Sequence, residues 1–157
     1  MIAPLPLHEK ERLKALHRYE ILDTVPEKSF DDVTLLASNI CDTPMSVISF
    51  VDENRQWFKS KVGMAESETP RDTSFCAYGI LQPDGFVVED AEADERFASN
   101  PMVTGHSKAR SYAGAPLITS DGHALGMLCV YDQIPRKWSP KEIEALGALS
   151  RQVVTLL

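Results

Sequence analysis

The sequence predicts an α+β domain, an antiparallel sheet with helices packed on one face. Three observations carry this. Residues 45–51 with 56–62, and 112–119 with 124–131, are two pairs of β-branched, apolar segments joined by short polar turns. Such pairs read as antiparallel hairpins, which excludes a doubly wound parallel sheet. Apolar residues recur at spacings of three and four near both ends of the chain, the pattern of amphipathic helices. The length of 157 residues, with 43% hydrophobic and 25% charged, fits one ordinary globular domain.

The elements follow in order. Residues 9–19 place Leu13 and Leu16 on one side of a short helix, with Glu9, Lys10, Arg12 and Lys14 facing water. Residues 23–26, Asp-Thr-Val-Pro, break the chain and offer Asp23 or Thr24 as a helix cap. A second helix spans 27–41, its core stripe formed by Phe30, Val33, Ala37 and Ile40. The first hairpin follows, and residues 65–73 are polar, contain Pro70 and read as a loop. Ser74 is placed to cap a short helix through Phe75, Tyr78 and Ile80. Residues 86–89 form a short strand, and a small helix around 92–97 sits within a long acidic loop. Asp121-Gly122 marks the second hairpin, while Gly114 and Pro116 imply an edge position or a bulge. Ser139-Pro140-Lys141-Glu142 is a capping box opening a final helix with Ile143, Leu146, Leu149 and Val153 on one face. The helices cover one sheet face, so segments between Gly63 and Arg110 must cover the other. Connections that long usually form lids or binding loops.

Composition excludes several classes. The net charge is −7 without a basic stripe, which argues against nucleic acid as a partner. No secretory leader is expected, and the longest apolar runs are too short to cross a bilayer. Cys41, Cys76 and Cys129 are odd in number and lack Cys-x-x-Cys spacing, so reduced thiols in the cytoplasm are expected.

No motif for catalysis survives its structural context. The run 105–109, Gly-His-Ser-Lys-Ala, approaches a nucleophile elbow but lacks the preceding strand and following helix. No glycine-rich phosphate loop is present. His8, His17, His106 and His123 are scattered, and the acidic run 89–95 does not match a calcium loop. No metal or cofactor is therefore expected. Cys76 sits in the first turn of its helix, where the dipole favours a thiolate and Arg71 adds charge. The alternative reading is a buried, apolar thiol. Cys129 reads as core and Cys41 as packing at a helix end. Trp57, Phe58, Phe75, Tyr78, Phe97 and Tyr112, together with Phe50, are expected to line a ligand site, or else to fill a second core. Arg71, Asp72, Asp90, Arg110 and Ser111 would supply its polar groups.

The strings ILDTVPEKSFDDVTLLAS, SFVDENRQWFKSKVGM, TPRDTSFCAYGI, VVEDAEADERFASNPMV, SYAGAPLITSDGHALGMLCVYD and SPKEIEALGALSRQVV resemble the bacterial GAF sensory domains, in this order, from residue 21 to near the C-terminus. The subgroup is the one found with histidine kinases and diguanylate cyclases. The resemblance implies a GAF/PAS-like sheet of five or six strands. Its order is about 2-1-5-4-3 when the five sequence-predicted strands are counted. Both terminal helices lie on one face, and a lid covers a small-molecule pocket on the other. Residues 1–20 would be an N-terminal helix and 21–157 the domain with its signalling helix. It places Arg71, Ser74, Phe75 and Cys76 in the pocket cover, with Tyr112, Gly114 and Pro116 on the strand beneath.

The Asn-Lys-x-Asp-Glu string of cyclic-nucleotide binders, the bilin-holding context and the cysteine arrangement of free methionine sulfoxide reductases are all absent. The ligand expected is thus an unidentified small molecule. The function expected is a cytoplasmic sensory module of a two-component type of pathway, not an enzyme. It would signal through a homodimer of terminal helices to an effector domain or kinase partner. The apolar stretch 153–157, without a glycine cap, fits such a helix. A thiol redox sensor or reductase centred on Cys76 is the alternative.

Overall fold

The computed structural model describes residues 1–157. Strands β1 (Met45–Val51), β2 (Arg55–Val62), β3 (Glu68–Pro70), β4 (Phe86–Val88), β5 (Ser111–Ile118) and β6 (Ala124–Asp132) form one antiparallel sheet in the order β3-β2-β1-β6-β5-β4. The α+β class is as expected. The five expected strands keep their order, and the difference in detail is β3, which pairs with the outer edge of β2.

Helices α1 (Glu9–Arg18), α2 (Lys28–Cys41) and α5 (Pro140–Leu156) cover one face. The other face carries α3 (Phe75–Gly79), α4 (Pro101–Thr104) and 3-10 turns at Arg71–Thr73 and Ala91–Ala93. The sheet therefore divides two cores. Because side chains alternate along a strand, Leu128 and Val130 of β6 join Leu16, Phe30, Val33 and Leu146 on the helix side. Met127, Cys129 and Tyr131 join Phe75, Phe97 and Tyr112 beneath the lid.

Several local expectations are corrected. Residues 65–73 are not all loop, since they include β3 and a 3-10 turn. Neither Asp23 nor Thr24 caps α2. Glu27 occupies that position without a side-chain cap, because the Thr24 hydroxyl donates to the Ile21 carbonyl. Ile40 stands 49% exposed while Cys41 is buried, so the core stripe of α2 runs Phe30, Val33, Ala37, Cys41. The helix expected around 92–97 is replaced by the 3-10 turn and by α4 further on. Arg12 is 2% exposed rather than solvated.

A bulge between Ile48 and Ser49 leaves Lys59 opposite no residue of β1. Its buried ammonium lies 2.6 Å from Glu27 and donates to Thr24 Oγ1 and the Val25 carbonyl. That contact fixes the approach to α2, as a buried charge requires a partner. A second bulge follows Pro116, where β5 has outrun its short neighbour β4. Both the edge and the bulge expected from Gly114 and Pro116 occur here, since β5 has no outer partner beyond Gly114.

At α5, the Glu142 amide donates to Ser139 Oγ and the Ser139 amide donates to Glu142 Oε1. Ser139→Ala removes half of this reciprocal cap. It is expected to cost about 1 kcal/mol in urea unfolding, while Ser139→Asp retains most of it.

Candidate functional site

The lid is built around Ser74. Its hydroxyl accepts the Ala77 amide at 3.1 Å, capping α3, and donates to Gln56 Oε1 at 2.7 Å. Gln56 Nε2 in turn donates to Thr69 Oγ1, so one chain of polar contacts ties α3 to β2 and β3. All five residues of α3 are buried. The helix lies close on the sheet, so that a Cβ on Gly79 would come within 2.6 Å of the flexible end of Met127.

Beneath the lid the aromatic residues pack on one another. Phe75 stacks on Phe97 with centroids 4.1 Å apart and on Tyr112 at 5.4 Å. Tyr78 meets Phe97 edge-on at 5.2 Å, and Tyr112 meets Tyr131 similarly at 5.0 Å. The Arg96 guanidinium lies over Tyr78, Phe86 and Phe97, a geometry favourable to the ring quadrupoles. Phe58 belongs to the same core. The structure thus brings together Phe58, Phe75, Cys76, Tyr78, Phe97 and Tyr112.

Other predicted residues lie elsewhere. Phe50 and Trp57, 6.5 Å apart, face the helices on the opposite side of the sheet. The expectation of one aromatic cluster is corrected for these two, because both occupy the alternate register of their strands. Asp90 and Arg110 pair with each other at 3.2 Å, half-exposed near the end of β4, with Glu92 close by. Arg71 is buried but points toward α1, donating to Glu9 and to the Asp52 carbonyl.

Sequence reasoning missed the surroundings of Cys76. Its Sγ lies 3.5 Å from Tyr112 Oη, 3.7 Å from Cys129 Sγ and 4.0 Å from Tyr131 Oη. Burial disfavours its thiolate, but the hydrogen-bonding groups around it, Cys129 foremost, outweigh burial and lower its pKa below the usual thiol range. Burial and the neighbouring Cys76 push Cys129 well above its usual range. The signal was present in the alternation Met127, Cys129, Tyr131, which the hairpin register places on the same face as Tyr112.

At the margin of this core lies a cleft of about 460 Å³, within the range of small-molecule sites. Met64, Thr69, Pro70, Thr73, Met102 and His106 are among its walls. Asn100 caps α4 through the Met102 amide and donates to the Thr73 carbonyl, joining the two sides. Glu66 also lines it, 3.5 Å from His106, with one carboxylate oxygen buried and unpartnered. None of the residues expected from the sequence to bind a ligand lines this cleft, although Gly105, His106 and Ser107 of the rejected elbow run do. No three His, Cys, Asp or Glu side chains converge as metal ligands.

A sheet with terminal helices on one face and a lid with a cleft on the other defines a class of sensory domain. The chain belongs to the GAF domain family, whose model matches residues 25–157. It is 41% identical over 133 residues, 85% of its length, to a cyclic di-GMP phosphodiesterase of Pseudomonas aeruginosa. The chain spans 23% of that relative's length. Among solved structures, the GAF domain from an Acinetobacter phosphoenolpyruvate-protein phosphotransferase superposes with a TM-score of 0.69 at 19% identity, covering 97% of this chain and 93% of that one. A domain of a two-component sensor histidine kinase protein from Sinorhizobium meliloti gives 0.64 at 16% identity, covering 83% and 89%. At these identities the likeness is one of fold. The family is a sensory one in bacterial signalling proteins. No helix is long and apolar enough to cross a membrane.

Proposed function

We propose that this domain is a regulatory module without catalysis of its own, which binds a small molecule at the lid-side cleft and passes the lid's position to α1. The observation that carries the reading is a bridge of three side chains. Arg71 opens the segment leading directly into α3, and it donates to Glu9 of α1. Glu9 also accepts two hydrogen bonds from Arg12, whose guanidinium reaches the carbonyls of Val51, Ala124 and Leu125. A lid movement that shifts Arg71 must therefore disturb the seat of α1. A ligand shifts such an equilibrium only by its difference in affinity for the two lid positions.

The output is read as lying in an effector region or partner protein. The partial coverage of the named phosphodiesterase supports that division. The homodimer is read as pairing through the terminal helices, with the exposed Leu156 of α5 on the contact face. Native mass spectrometry tests both parts. The expected result is a dimer retaining a small molecule, or gaining one from a metabolite mixture. Ser107→Trp, on the cleft wall and outside the buried core, should abolish retention while the protein stays folded. A monomer that captures nothing, and whose melting no metabolite shifts, would overturn the reading.

A further inference from the structure

The fold places two thiols in contact across the lid-side core, and the ligand reading makes no use of them. Cys76 is carried by α3 and Cys129 by the central strand β6, with their sulfurs 3.7 Å apart and both residues 0% exposed. We infer that Cys76 and Cys129 close into an internal disulfide when a peroxide reaches the lid, pinning α3 to the sheet.

Closure to the bonded separation requires an approach of about 1.7 Å. Rotation of the two Cys side chains with a small adjustment of the short helix α3 supplies it, since β6 is fixed on both sides by β1 and β5. Competing pairings are excluded by position, because Cys41 belongs to the helix-side core across the sheet. The groups facing the pair are Ser49 from β1, Tyr112 from β5 and Tyr131 from β6. All are neutral hydroxyls able to donate to a thiolate, and Cys76 is the attacking sulfur because it rides on the short lid helix that must lift to admit peroxide, whereas Cys129 lies in the central strand.

The step balances with hydrogen peroxide or an alkyl hydroperoxide as oxidant. The Cys76 thiolate attacks one peroxide oxygen, breaking the O–O bond. The leaving oxygen takes the proton Cys76 gave up and departs as water or alcohol. Cys76 is left as a sulfenic acid, oxidised by two electrons. The sulfur of Cys129 then attacks that of Cys76, the S–O bond breaks, and the hydroxide leaves as water with the Cys129 proton. Because both thiols are buried, the first step waits on lifting of α3. Oxidation is therefore slower than at an exposed thiol.

The test treats the native chain with hydrogen peroxide, alkylates it in denaturant, and maps the peptides without reduction. Alkylatable thiols should fall from three to one, with Cys41 the survivor. A peptide joining Cys76 to Cys129 should appear, and dithiothreitol should restore all three. In Cys129→Ser the link should vanish and dimedone should label Cys76, while Cys41→Ser should leave the link intact. The inference is overturned if all three thiols survive peroxide that oxidises free cysteine. It is equally overturned if the linked peptide contains Cys41 or joins two chains.

Discussion

Phe75→Ala is expected to destabilise the domain by about 3–5 kcal/mol, the largest effect of any aromatic truncation beneath the lid. Phe75 is fully buried and packs on Phe97, Tyr112 and Tyr131 at once. Its removal forfeits the transfer free energy of a benzyl group and leaves a hole where close-packed rings cannot collapse. Phe75→Leu retains much of the volume and should lose less than half as much. Urea unfolding monitored by circular dichroism reads both. A loss below about 1 kcal/mol for alanine would show that the lid is not packed as described.

Arg12→Ala should cost a similar amount, about 3–5 kcal/mol, for a different reason. The guanidinium is 2% exposed and serves Glu9 and three carbonyls, so truncation leaves several buried acceptors without a donor. Arg12→Lys keeps the charge but not the planar fork, and should fall between wild type and alanine. The same network gives a pH dependence. Burial raises the Glu9 carboxyl, but hydrogen bonds from Arg12 and Arg71 outweigh it and hold its pKa below 4.5. A carboxyl depressed by folding contributes stability that is complete above its unfolded pKa and lost as pH falls through its folded one. The stability difference between wild type and Glu9→Gln should therefore be full at neutral pH and shrink on acidification below about 4.5. A difference unchanged at pH 3 would contradict the ion-paired assignment.

Much of this architecture was legible in residues whose local preferences agree with the fold. The Ser139 capping box, the Asp121-Gly122 hairpin and the Ser74 cap all appear where their chemistry placed them. What escaped was set by tertiary contacts. Phe50 and Trp57 are as apolar as Phe58, and only the strand register and its bulge decide which face each takes. Arg12 looks like a solvating charge in a helical pattern. Its burial follows from carbonyls contributed by β1 and by the β5–β6 hairpin, distant in sequence. Strand β3 is three residues long and ends in proline, too little pattern to distinguish from loop. The cleft was missed because its walls come from β3, the 3-10 turn and α4, none of which carries an aromatic signal at the cleft. The proximity of Cys129 to Cys76 was hidden because Cys129 alone reads as core packing, and nothing local to either residue places α3 over β6.

Hydrogen–deuterium exchange of Arg71→Met against wild type tests most directly whether the lid and α1 are coupled. The account predicts several-fold faster exchange both in residues 71–80 and in α1, with the amides of β6 unchanged as a measure of global stability. Faster exchange confined to the lid, with α1 as protected as in wild type, would contradict it.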